Sequence, residues 1–296
     1  MLKQYARTVA AFCLLSLLLT AAMTAVAAES TDLNQRLARL EKELAGIRRG
    51  DELAVGREIY KAACMACHGI NGDGNGPSAT WLDPKPRDFT KGLFKWRTTA
   101  FGAPPTDADL ERVIREGVSG SEMVPFGDIL SKRSRMAVVQ YVRSFSPQSS
   151  EAGPQSVPEP IVKFPLERPF PRTADSIAKG KELFAAKGCG ACHGAEGDGN
   201  GPAGNNLMDA WGHPIRPWNF KLGYYKSGHT DQDLYRTITT GLNGTPMVAF
   251  GGATTEEERW QLVDFIRSRA ASYGRLRRFL FVDEPTGRIY QPPSQQ

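Results

Sequence analysis

Two short segments carry the residue types that do chemistry, and they are near copies. CMACHGINGDGNGP runs from Cys64 to Pro77, and CGACHGAEGDGNGP runs from Cys189 to Pro202. In C-x-x-C-H, two thiols on one helical turn add to the two vinyl groups of a haem. The adjoining imidazole then binds the iron. One C-x-x-C by itself also suits zinc or thiol–disulfide exchange. Two copies in one repeated context select covalent haem c at both. Cys64, Cys67 and His68 hold one haem; Cys189, Cys192 and His193 hold the other.

The opposite axial ligand follows by elimination. The chain has four histidines, and His213 and His229 both fall in its second half. The first half therefore offers no spare imidazole, and its candidates are Met123 and Met136. Met136 aligns with Trp260 on a terminal helix, which marks it as packing. Met123 aligns with Met247, and both lie in loops with a nearby proline, Pro125 and Pro246. These two are the expected axial ligands; the competing reading of each is a buried loop residue. His213 and His229 are read as loop residues, with a conditional bond to the second iron as the rival.

The elements that must position these groups repeat as well. Gly56-Arg-Glu-Ile-Tyr60 precedes the first motif, and Gly180-Lys-Glu-Leu-Phe184 precedes the second. Thr106 and Thr230 each stand three residues before an aspartate, which is a helix N-cap signature. Each copy closes in an amphipathic helix, roughly 132–145 and 255–271. The glycines of GDGNGP predict a tight turn beside the haem edge. Asp73 with Asn75, and Asp198 with Asn200, supply too few carboxylates for a calcium loop. Arg87, Lys95, Arg97 and Lys226 are candidate partners for haem propionates, against solvation at the surface.

With these residues in place the sequence resembles the class I c-type cytochromes, in a two-domain dihaem form. The resemblance covers roughly 51–145 and 175–271. It rests on CxxCHG, a methionine loop well downstream, and a terminal helix. It implies a small all-α fold around each haem. It also implies close crossings of first and last helices, at Gly56 with Tyr141 and at Gly180 with Phe265. The segments 84–97 and 214–228 are longer than the family's pattern. With Trp81, Phe89, Trp96, Trp211, Trp218, Phe220 and Tyr225 they are read as haem-pocket walls.

Outside the repeats, Lys3 and Arg7 precede an apolar run from Val9 to Leu19, with Ala25-Val26-Ala27 as a cleavage site. This is a signal peptide over 1–28; an uncleaved membrane anchor is the alternative, since 8–28 is uncharged and nearly long enough to span a bilayer. Residues 29–50 form a helix with a seam of Leu33, Leu37, Leu40, Leu44 and Ile47. Such a seam packs on its own domain or joins copies into a homo-oligomer. The expected organisation is all-α: a cytochrome c domain at 51–145, a proline-rich linker at 146–172 lying along the domain surfaces, a second domain at 173–272 and a tail at 273–296.

Hydrophobic residues make up 41% and charged residues 23%, which marks a globular chain. A net charge of +5 is too small and too dispersed for nucleic-acid binding. With both axial positions filled, the expected role is electron transfer between a donor and an acceptor protein in the periplasm, by a free carrier or a subunit of a respiratory complex, and no catalysis. The alternative is a dihaem enzyme, of peroxidase or thiosulfate dehydrogenase type, with a displaceable axial ligand in the second domain.

Overall fold

The computed structural model describes residues 32, 35–39, 41–42, 52–146, 164 and 168–270. The signal peptide or anchor, most of the heptad segment, most of the linker and the tail lie outside the described residues. The described residues fall into two compact units. The first draws on Met1–Trp81, Pro86–Lys91 and Phe126–Gly153, and the second on Leu82–Lys85, Gly92–Pro125 and Pro154–Gln296. A stretch of the first repeat, Gly92–Pro125, thus belongs to the second unit.

The first unit is built on α1 (Glu52–Ala63), α2 (Met65–His68) and a later helix (Lys132–Arg143). In α1 the buried residues are Val55, Gly56, Ile59 and Tyr60, a single stripe at helical spacing. The later helix answers with Ala137, Val138, Val139 and Val142. They meet at Gly56, where a Cβ would come within 2.0 Å of the Ala137 carbonyl oxygen. Tyr60 then reaches the rings of Tyr141 and Phe145, both at 5.2 Å between centroids. Of the heptad segment, Leu37 is buried and Glu41 accepts a hydrogen bond from the Ser131 N–H at 2.7 Å.

The second unit holds α3 (Asp107–Glu116), then, beyond the first unit's helix α4 (Lys132–Arg143), α5 (Ala174–Ala186), α6 (Cys189–His193), α7 (Asp231–Thr240) and α8 (Glu256–Arg269). A short antiparallel pair, β1 (Leu207–Met208) with β2 (Pro214–Ile215), is the only sheet among the described residues. The helix starts follow from capping chemistry. Thr106, Thr230 and Thr255 each accept the N–H three residues on, and Asp109, Asp233 and Glu258 bond back to the cap. Each such box satisfies two N–H groups that the first helical turn leaves without partners.

α5 crosses α8 at Gly180, where a Cβ would lie 1.9 Å from the Gln261 carbonyl oxygen and 3.0 Å from the Cβ of Phe265. α8 is buried on every side from Arg259 to Ile266. Its polar members must therefore find partners inside. Asp264 is fully buried and accepts from Ser176 Oγ at 2.5 Å, from Arg172 Nε at 3.0 Å and from Arg168. Arg168 and Arg172 also reach Asp231, at 3.3 and 2.9 Å. Phe164 and Phe170 pack against the same core. The described end of the proline-rich segment is thus tied down by charge as well as by apolar contact.

Both crossings predict the same defect. Gly56→Ala and Gly180→Ala must push a helix off its partner's backbone, and overpacking of this kind costs about 1–3 kcal/mol. Thermal unfolding followed by circular dichroism should show a Tm lower by roughly 4–8 °C per kcal/mol for a domain of this size. An unchanged Tm in either variant would contradict the crossing.

Candidate functional site

The two attachment motifs fold alike because the same hydrogen bonds close them. In the first, the N–H groups of Cys67 and His68 both donate to the Cys64 carbonyl, at 3.2 and 2.9 Å. Cys64 and Cys67 therefore share one turn, as the vinyl spacing requires. None of the four motif cysteines is paired in a disulfide. Desolvation pushes the Cys64 thiol up to about 12 and the Cys189 thiol up to about 11. Such burial suits a neutral sulfur, as in the thioethers of an attached haem.

Each motif histidine is held by its other nitrogen. His68 Nδ1 lies 3.1 Å from the Arg87 carbonyl oxygen, and His193 Nδ1 lies 3.2 Å from that of Trp218. Burial, the largest cause, lowers the pKa of both imidazoles, so each is neutral at pH 7. A neutral ring that donates from Nδ1 leaves the Nε2 lone pair available to a metal. Phe89 stacks on His68 at 4.6 Å between centroids, and Phe220 stacks on His193 at 4.7 Å. Ring plane and tautomer are thereby set together, and the residues present fit a covalent haem on each side.

The GDGNGP turns bring those carbonyls and phenylalanines into place. The Phe89 N–H donates to Gly72 O and the Phe220 N–H to Gly197 O, both at 2.7 Å. Gly74 N–H returns to His68 O at 2.9 Å and Gly199 N–H to His193 O at 2.8 Å. Asp73 and Asp198 accept from the N–H of Asn75 and Asn200, at 3.0 and 3.1 Å, which engages them locally. Gly76 and Gly201 lie so close beneath the attachment turn that a Cβ would stand 2.3 Å from the carbonyl oxygen of Ala66 or Ala191.

Met123 and Met247 occupy matching loops. Each loop opens with a left-handed glycine, Gly117 at φ +66° and Gly241 at φ +64°. The Val118 N–H donates to Met123 O at 2.8 Å, and the Leu242 N–H donates to Met247 O at 2.9 Å. Ser121 and Thr245 hydroxyls accept from the methionine N–H groups, at 3.3 and 3.2 Å. Both thioether side chains are half-buried. Met136 sits on α4, half-buried, and its counterpart Trp260 is fully buried in the second core.

Other sequence candidates have different places. Arg97 is fully buried and donates to three backbone carbonyls, of Ala100, Thr240 and Gly241. Lys226 lies over the Trp218 ring at 4.7 Å. His213 pairs its backbone with Asp209 in the β1–β2 hairpin, and His229 Nε2 lies 3.0 Å from Ser119 Oγ. Trp81, read as a pocket wall, is 86% exposed.

Sequence reasoning missed Arg135 and Arg259. Arg135 donates to the carbonyls of Gly127 and Leu130, and Arg259 to those of Gly251 and Thr254, so each ties down the far end of a methionine loop. Their shared place in the repeat, on the terminal helix, was the available signal.

These turns make a direct prediction. Gly76→Ala or Gly201→Ala should disrupt one attachment turn only, so the purified protein should carry about half its haem per polypeptide, read by a haemochrome assay against protein mass. Full loading in both variants would show that the turn tolerates a side chain.

The comparisons with known proteins agree with this geometry. The family model described as Cytochrome c matches residues 177–270, and the one described as Cytochrome C oxidase, cbb3-type, subunit III matches residues 51–142. The chain is 27% identical to the cbb3-type cytochrome c oxidase subunit CcoP of Azospirillum sp. (strain B510), over 75% of this chain and 61% of that protein. It is 29% identical to the subunit FixP of Azorhizobium caulinodans, over 67% of this chain and 53% of that protein. The chain thus spans little more than half the length of these relatives. Among solved structures it is similar to a chain of the Kuenenia stuttgartiensis reducing HAO-like protein complex. The identity is 40%, the TM-score 0.66, and the coverage 72% of this chain and 94% of that one.

Proposed function

The chain belongs to the class I c-type cytochromes, in their two-domain dihaem form, and on that premise we propose that it carries electrons between redox proteins in the periplasm with both irons ligated by histidine and methionine. Its two cytochrome domains carry two covalently bound haem c groups. In this reading Cys64 and Cys67 anchor the first haem, with His68 and Met123 as axial ligands. Cys189 and Cys192 anchor the second, with His193 and Met247.

The observation that carries the proposal is the matched pair of imidazoles, each donating from Nδ1 to a carbonyl and stacked on a phenylalanine. Such a ring presents Nε2 in one orientation through repeated redox cycles. The methionine loops supply the other half. Their backbone bonds and hydroxyl contacts are the same in both copies, so a weak thioether ligand comes from a stiff support. Bound haem supplies a one-electron couple, and methionine/histidine ligation raises its potential. Filling both axial positions leaves no site for substrate, so the chain acts as carrier rather than enzyme.

The likeness to subunits of cbb3-type oxidases and to a chain of a reducing HAO-like complex supports a place beside other redox proteins, as the electron-transfer subunit of a respiratory assembly. The N-terminal sequence supports export, either with cleavage near Ala28 or with retention as an anchor. No helix among the described residues is long and apolar enough to cross a membrane.

Optical spectra test the ligation. The oxidised protein should show the sulfur-to-iron band at the far-red end, and Met123→Ala and Met247→Ala should each remove about half of it. A dominant high-spin signal at neutral pH, or ready binding of carbon monoxide by the reduced protein, would refute the carrier reading for the haem concerned.

A further inference from the structure

The loop that carries Met247 is tied at both ends by guanidinium groups, and one of them comes from the first repeat. α7 ends at Thr240, and Gly241 turns the chain into the loop. Arg97 Nη2 donates to the Thr240 carbonyl at 2.7 Å and Nη1 to the Gly241 carbonyl at 3.2 Å, while Nε holds Ala100 O at 3.0 Å. Inside the loop, Asn243 Nδ2 donates to Ala103 O at 3.0 Å, and its Oδ1 accepts from the Gly102 N–H at 2.9 Å. At the other end Arg259 Nη1 holds Gly251 O at 3.1 Å.

Arg97 lies in a stretch longer than its counterpart in the second repeat. The segment from Phe89 to Thr106 is longer than that from Phe220 to Thr230, although the residues at both ends of it play matching parts. The longer segment carries a fully buried cation to two carbonyls at a helix C-terminus. Those carbonyls are left without intrahelical partners and bear partial negative charge, so the guanidinium serves them by hydrogen bond and by field.

We propose that Arg97 is a positioning residue for the Met247 thioether: by clamping Thr240 and Gly241 it sets how readily that sulfur leaves the second haem. The proposal rests on the histidine/methionine reading above. A thioether is displaced when its loop swings away, and the loop swings only if its hinge carbonyls are released. Asn243 braces the same hinge from inside the loop.

The test uses the oxidised holoprotein and imidazole as the competing ligand, with loss of the far-red band followed by stopped flow. Met247→Ala identifies the phase that belongs to the second haem. Arg97→Lys keeps the charge but cannot serve both carbonyls, and Arg97→Ala removes the group. Each should speed the Met247 phase by on the order of ten- to a hundredfold, the range expected for losing charge-assisted hydrogen bonds. The Met123 phase should stay unchanged.

Asp264→Asn weakens the same unit away from the loop and should leave the Met247 phase at its wild-type rate. Equal acceleration by Asp264→Asn, or equal acceleration of both phases by the Arg97 variants, would reduce Arg97 to a general stabilising residue and overturn the proposal. So would wild-type rates in the Arg97 variants. If Arg97→Ala does not accumulate as folded protein, Asn243→Ala carries the same expectation. A Met247→Ala protein with an undiminished far-red band would overturn the ligation itself. A halved band in Met247→Ala alongside unaffected Arg97 variants would overturn the role of Arg97 alone.

Discussion

A buried imidazole whose Nδ1 gives its hydrogen to a fixed acceptor is held in one orientation, and the local structure follows from that constraint. His68 and His193 meet it with the carbonyls of Arg87 and Trp218. For those carbonyls, 19 and 25 residues further on, to arrive, the chain must turn back beneath the attachment motif. The GDGNGP turns do so through left-handed glycines and through the bonds from Phe89 and Phe220 to Gly72 and Gly197. The same turns lay the phenylalanine rings on the imidazoles. Acceptor, ring and turn form one unit, which is why the short motif is repeated with its glycines in register.

A second constraint is the close crossing of first and last helices. Gly56 and Gly180 bring one helix against the backbone of another, at a distance no side chain would allow. The crossing in the second unit buries α8 on all sides, including three polar residues. Most of their polar atoms are answered: the Arg259 Nη groups by loop carbonyls and the Tyr235 hydroxyl, Gln261 by Glu257, and Asp264 by Ser176, Arg168 and Arg172, while Arg259 Nε and the Trp260 indole N–H are buried without a partner among the described residues. Burying a polar group costs free energy unless it is paired. Here the pairing also fixes where the methionine loop ends and where the linker docks.

Much of this was legible in the residues. CxxCH gave the attachment chemistry because thiol spacing must match vinyl spacing. The threonines at 106 and 230 marked helix starts because a cap needs a side-chain oxygen at that place. Gly56 and Gly180 were readable through the family resemblance, which implies a close crossing of first and last helices at a repeated glycine. The family relationship and the two-domain, mostly helical architecture agree with the comparisons.

What the sequence by itself determined is the set of local chemical demands: two attachment motifs, their turns, the capped helices and the paired methionine loops. These depend on bonds between residues near in the chain, and residue type dictates them. Only the tertiary structure decided the long-range partners. The two repeats keep a common offset at their ends because one has additional residues before its stacking phenylalanine and the other after it, so aligning the ends hid both. Arg97 and Lys226 looked like surface cations or propionate partners; Arg97 instead crosses to carbonyls far along the chain. A guanidinium's partner is any oxygen that burial leaves unsatisfied. Which oxygens those are depends on how the helices pack, and no spacing within the sequence states it.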